Sequence, residues 1–162
     1  MPKFKFGVVM DLAEAQTARL ADGASGSATQ LAKEDNDKFV KLIGDSQYGL
    51  CAVGNEIEGV VSVANDIAPG DGFNLGSIIN NVRARVKVTL DGLQATPGTG
   101  TLVVGDYVVC GTVTARGTVL PGPPKVCKAT AAATGIVFKW RVVSFISGTG
   151  AVGQTALIER VS

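Results

Sequence analysis

Along VRARVKVTL (82–90) the chain alternates strictly between two kinds of side chain. Val82, Ala84, Val86, Val88 and Leu90 fall on one set of positions, and Arg83, Arg85, Lys87 and Thr89 on the other. A period of two predicts a strand with one face in a core and one in water. Shorter runs rich in β-branched and apolar residues repeat the signal: FVKLI (39–43), YGLCAV (48–53), EIEGVVSVA (56–64) and YVVCGTVTA (107–115). IVFKWRVVSFI (136–146) and TALIERV (155–161) read as a terminal hairpin pair. Between the runs stand GDS, GN, APGDG, DG, TPGTG and LPGPP, the chemistry of tight turns and rigid corners. The pattern predicts a mainly β protein, a small glycine-rich antiparallel barrel or sandwich.

The first 32 residues break this rhythm. Lys3-Phe4-Lys5-Phe6 alternates as a short edge strand would, and Phe4 and Phe6 become candidate contacts for a partner's sheet. LAEAQTARLA (12–21) holds good helix formers, and ADGASGSAT (21–29) is a small-residue linker. Residues 1–32 therefore read as an N-terminal arm or peripheral layer and 33–162 as the β-rich body. One internal echo stands out: VGNEIEGVV (53–61) and VGDYVVCGTV (104–113) share a Val-Gly-Asn/Asp turn, a short strand and a later glycine. It is too short to establish a duplication.

Composition narrows the class. Across 162 residues, 46% hydrophobic and 18% charged side chains with 21 glycines exclude a disordered chain. The net charge is +1, but residues 1–92 carry nine basic and twelve acidic groups and residues 93–162 six and two. This dipole suits head-to-tail or side-by-side contacts between copies. The opening apolar patch is too short and too soon charged for a signal peptide, and no apolar run reaches a membrane span.

Candidate chemistry is sparse. There is no histidine, and Cys51, Cys110 and Cys127 are scattered without a C-x-x-C, so no metal site and no cofactor are expected. Cys110, inside an apolar run, reads as an inert buried thiol. Cys127, flanked by Lys125 and Lys128, is the one cysteine whose neighbours favour a thiolate. No catalytic residue is assigned. Glu56 and Glu58 share a strand face, but this reads as a solvated edge or subunit contact. GTGAVGQT (148–155) resembles a dinucleotide or phosphate loop. Only nine residues follow Gly153, too few for the helix and second strand of a βαβ unit, and Gln154 stands where a phosphate-binding lysine is required. The expectation is a hairpin connection. Arg83, Arg85 and Lys87, with Lys139 and Arg141 around Trp140, form a candidate partner or self-interface. Nucleic acid is disfavoured because the basic strand lacks interleaved aromatics.

Three segments, taken in order, carry a resemblance: DNDKFVKLIGDSQYGLCAVGNEIEGVVSVA, VRARVKVTLDGLQATPGTGTLVVGDYVVCGTV and KWRVVSFISGTGAVGQTALIERV. They resemble the capsid cement, or head decoration, proteins of tailed bacteriophages, in the K-x-V-K-L-x-G-D turn, the I-x-G-V-V strand and the later GD-x-V strand. The resemblance covers residues 30–162 and rests on the ordered set. It implies a non-enzymatic virion protein on the outer capsid surface, made in the host cytoplasm. Its partner would be the major capsid protein, and its own state a homo-oligomer, a trimer before a dimer. A tail-tube or baseplate subunit and a nucleic-acid-binding barrel are the alternatives.

Overall fold

The computed structural model describes residues 15–22, 29–44, 47–64, 75–130 and 138–162. Phe4 and Phe6 lie outside them. Among the described residues twelve strands follow in chain order: β1 (Ala15–Asp22), β2 (Thr29–Gln30), β3 (Phe39–Gly44), β4 (Gln47–Leu50), β5 (Gly59–Ala64), β6 (Leu75–Ile79), β7 (Arg85–Leu93), β8 (Thr96–Pro97), β9 (Tyr107–Cys110), β10 (Lys125–Lys128), β11 (Trp140–Phe145) and β12 (Thr155–Arg160). The mainly β expectation holds, but there are two barrels rather than one. β1-β4-β3-β5-β6 closes on itself through β1–β6, and β7-β10-β9-β11-β12 closes through β12–β7. β2 and β8 each extend one ring as a short hairpin partner.

The two rings are one design used twice. Strands β1 to β6 correspond in order to β7 to β12, and every pairing has the same sense in both. The parallel strand pairs among the described residues, β1–β4 and β7–β10, occupy the same place. Registers agree as well. Aligning Val40 with Val108 aligns Leu50 with Lys128, and following the partners round the ring aligns Leu20 with Leu90 and Ile78 with Ile158. Even a β-bulge recurs: the β5–β6 register shifts between Val61 and Val63, and the β11–β12 register between their counterparts Val142 and Ser144.

Both cores follow from this alignment. Ala18, Leu20, Leu31, Val40, Val61, Ala64 and Ile78 fill barrel one. Their register counterparts Val88, Leu90, Val108, Val142 and Ile158 belong to the cluster inside barrel two, Phe145 (the counterpart of Ala64) packs against it, and Leu102 adds a further buried side chain. Inward residues alternate with outward ones along each strand, as a small side-chain-filled barrel requires.

Several expectations change. Residues 15–22 contain helix formers, yet β1 is a stave of barrel one. Its pairings with β4 and β6 close the ring, so this part of the 1–32 segment is not peripheral. The 82–90 alternation begins later than read. Val82 is exposed and Arg83 adopts a left-handed φ of 72°, so both lie in the turn that links the barrels. The echo between 53–61 and 104–113 does not join equivalent elements, because 53–61 spans the β4–β5 connection and β5 while 104–113 spans β9.

The barrels meet face to end. Because Val40, Val61 and Ile78 point into barrel one, Phe39, Val60 and Ile79 point out of it. Those outward residues, with Ile57, pack into the barrel-two cluster beside Ala84, Val86, Cys110 and Trp140. These four lie at one end of barrel two, which barrel one therefore caps. Several polar groups trapped in the seam find partners. The Trp140 indole donates to the Ile57 carbonyl at 3.1 Å. Backbone bonds join Gly54 to the Cys110 carbonyl (2.8 Å) and Cys110 to the Asn55 carbonyl (2.9 Å). The buried Asp35 carboxylate accepts from Ala32 N (2.9 Å), Lys38 Nζ (2.7 Å) and Gly117 N (2.8 Å). Lys38 also donates to the Ala115 carbonyl at 2.6 Å. Lys38→Met strands the Asp35 charge and is expected to cost about 3–5 kcal/mol in urea unfolding. Adding Asp35→Asn should recover part of that loss; no recovery would mean the pair is not the source.

Candidate interaction surface

The GTGAVGQT loop resolves into a self-filled cradle. The Gln154 side-chain oxygen accepts from Thr149 N (2.7 Å), Gly150 N (2.9 Å) and Ala151 N (3.0 Å). Three backbone donors converge as they would on an anion, but the chain's own amide occupies them. The expected hairpin connection is what the loop provides, since it joins β11 to β12. It shares a local rule with two other turns. Ala52-Val53-Gly54-Asn55, Val103-Val104-Gly105-Asp106 and Ala151-Val152-Gly153-Gln154 each place a positive-φ glycine third (79°, 95° and 83°). In each, the fourth residue's N–H bonds the first carbonyl (3.0, 3.1 and 3.2 Å). Its side-chain oxygen then takes the first N–H (2.8, 2.8 and 3.0 Å). The backbone reversal needs glycine, and the last residue needs a carbonyl-type oxygen. Val53, Val104 and Val152 are left exposed at the tips.

The cysteines are all buried and free. The Cys127 thiol, expected to be favoured as thiolate by its lysines, is instead pushed up to about 11, first by burial and then by Asp91. Its sulfur donates to the Asp91 carbonyl at 3.6 Å. Cys51 is raised by a hydrogen bond with Cys110 and by burial. Both thiols line a cleft between the barrels with Phe39, Leu50, Leu120 and Pro124, whose volume of ≈ 30 Å³ admits a water or two but no metabolite.

The basic candidates separate into two groups. Lys139 does not face outward for a partner: it pairs with Glu58, while Glu56 Oε1 lies 4.0 Å away, and Arg160 donates to the Glu58 carbonyl. Glu56 and Glu58 thus serve the seam within one chain, not a solvated edge. Arg85 and Arg141 stay on the outer face of barrel two and share Glu159, at 2.8 and 3.9 Å. Lys87 lies one step along β7, opposite Leu157. Arg83 stands apart in the linking turn. Sequence reasoning missed the aromatic half of this face. Tyr107 pairs with Arg141 across β9–β11, and its ring lies 6.2 Å from that of Phe138. Tyr107 began a run read only as core, so nothing in its local pattern marked it.

Among the described residues, no group of three or more His, Cys, Asp or Glu side chains is placed to hold a metal ion. Among them no helix is long and apolar enough to cross a membrane. Comparison of the chain with protein-family models, curated proteins and solved structures finds no match.

Two variants test the local chemistry. Gln154→Ala empties the cradle and is expected to cost about 1 kcal/mol, whereas Gln154→Glu keeps an acceptor, strengthened by charge, and holds or raises stability at neutral pH. Glu56 Oε1 is buried without a hydrogen-bond partner, and burial raises its carboxyl from the ordinary 4.5 despite Lys139. Such a raised group favours the fold at acid pH, and that contribution is lost as pH rises through the folded value. Glu56→Gln should therefore raise the melting temperature at pH 7 and lose that advantage near pH 4. An equal gain at both pH values would contradict the assignment.

Proposed function

We propose that this protein is a structural adhesion protein of the capsid-cement type. In this reading it binds the outer surface of a tailed-phage icosahedral shell, bridges neighbouring major capsid subunits and holds them against the pressure of packaged DNA. The observation that carries the reading is the locked double barrel. Both main sheets close, so neither ring leaves a long edge open, and the seam ties the rings through apolar contact, backbone bonds and the ion pairs of Glu58 with Lys139 and Arg160. A body of this kind transmits force between two attachment points without opening. The ordered likeness of residues 30–162 to cement proteins supplies the nature of the surface it grips.

The outward chemistry favours protein over nucleic acid. The row Tyr107, Arg141, Glu159, Arg85 brings aromatic and basic groups together, yet a carboxylate sits between the two guanidiniums. That carboxylate neutralises part of the charge a phosphate would seek and fits instead the mixed polarity of a protein interface.

The test is reconstitution. Purified protein added to phage heads that lack it should co-sediment at a fixed copy number, appear as density on the outer face in cryo-electron microscopy, and raise the temperature at which heads release DNA. Heads that bind none, or that gain no heat resistance, would reject the reading. Binding confined to tails would favour a tail-tube or baseplate subunit.

A further inference from the structure

The duplication gives each barrel the same backbone face, and only one of the two faces is covered. In barrel one the face of Phe39, Ile57, Val60 and Ile79 is sealed by the end of barrel two. The register equivalents of Phe39, Val60 and Ile79 in barrel two are Tyr107, Arg141 and Glu159, and Phe138 precedes Arg141 by three residues as Ile57 precedes Val60. Phe39 is 4% exposed and Tyr107 45%. The seam's other half has an uncovered counterpart too. Cys110, at the capped end of barrel two, is buried, while its equivalent at the same end of barrel one is Leu42, 53% exposed beside Ile43. Each molecule therefore presents one open face on barrel two and an exposed apolar pair, Leu42 and Ile43, at one end of barrel one.

Charge matches the two. Residues 15–79 contain four basic and nine acidic side chains, a net of −5, and residues 85–160 eight basic and three acidic, a net of +5. Within the chain this polarity is already used once, where Lys139 and Arg160 of barrel two meet Glu58 of barrel one.

We propose that the open face of barrel two (Tyr107, Phe138, Arg141) docks the Leu42–Ile43 end of barrel one from a second copy of this chain. The junction is head to tail, a continuation between molecules of the face-to-end contact inside each one. The 111–124 loop of barrel two has no counterpart in barrel one, where only two residues separate β3 from β4. The intermolecular junction therefore lacks the bonds to Ala115 and Gly117, and it rests on the apolar end and the opposed charges. A heterologous contact of this kind yields a ring when its rotation closes and a filament when it does not. Opposed net charges favour the alternating approach and discourage like barrels from meeting. The inference uses only contacts between copies and stands apart from shell binding.

Sedimentation velocity of the full chain over a concentration series tests it. Association is expected in about 0.05 M NaCl, with an apparent Kd about tenfold or more weaker in about 1 M NaCl. Arg141→Glu (face) and Leu42→Asp (end) should each give monomers. Mixed together, they should give a 1:1 dimer, because one variant keeps the face and the other the end. A wild-type chain that stays monomeric throughout overturns the proposal. So does a mixture that stays monomeric, since that is the behaviour of a contact made by the same patch on both copies. Tyr107→Asp and Ile43→Asp, also at exposed positions, repeat the pairing should either first variant lose its wild-type circular dichroism. The assay contains no shell, so failure to bind heads leaves it unaffected.

Discussion

The structure depends on barrel one having an apolar outside. A five-stranded ring of this size fills its interior with apolar side chains, and its outer surface belongs in water. Phe39, Ile57, Val60 and Ile79 break that rule, and they are buried only because the end of barrel two lies over them. Barrel two has the complementary need. Trp140 and Cys110 sit at its end and would face solvent without a cap. Each barrel completes the other's core, so the natural unit of stability is the pair. The polar groups caught between them, the Trp140 N–H and the Asp35 carboxylate above all, are bonded across the seam rather than within one ring. Buried polar atoms so arranged fix the angle and register of the two rings, because any slip would leave them unpaired.

A duplication that governs every strand pairing is nearly invisible in the sequence, and the reason is physical. What a barrel position demands is volume and polarity on one face, so Ala18 can answer to Val88 and Ala64 to Phe145. Leu20/Leu90 and Ile78/Ile158 are identical, but single letters at varying separation make no readable repeat. The connections differ freely in length: two residues separate β3 from β4, and fourteen separate β9 from β10. That insertion destroys any fixed period. The echo that was legible, between 53–61 and 104–113, came from turn chemistry instead. It identified the Val-Gly-Asn/Asp reversal correctly, and the structure adds a third such turn at Val152-Gly153-Gln154, but the echo joined turns at different places in the two rings.

The same contrast sets how much of the remainder could be read. Short strands, their turns and the terminal hairpin are local and showed plainly as alternation and glycine punctuation. β1 did not, because Ala, Gln, Arg and Leu are better in helices, and only closure of the ring against β4 and β6 makes a strand of them. Lys139 and Arg141 look alike in Phe138-Lys139-Trp140-Arg141, two cations around a tryptophan. Alternation on β11 sends Arg141 to the outer face, while Lys139, just before the strand, reaches the seam and Glu58. Period-two reasoning identified the basic outer face. It could not foresee that a glutamate two strands' width from Tyr107 would bridge two arginines, because cross-strand neighbours are set by pairing and not by spacing.

Chemistry at equivalent positions then becomes informative in itself. Phe39, Val60 and Ile79 in one ring stand where Tyr107, Arg141 and Glu159 stand in the other, on the same strands and at the same registers. Backbone geometry cannot account for the difference, since it is shared. Only the surroundings differ: one face is dry and the other meets solvent or a partner. Plain solvation would be met by any polar residues there, and it does not call for a tyrosine and a phenylalanine ring side by side on the surface. Tyrosine next to arginine, with a shared carboxylate and a partly buried ring behind, is the composition of a face that is wet in the free molecule and dry in a complex.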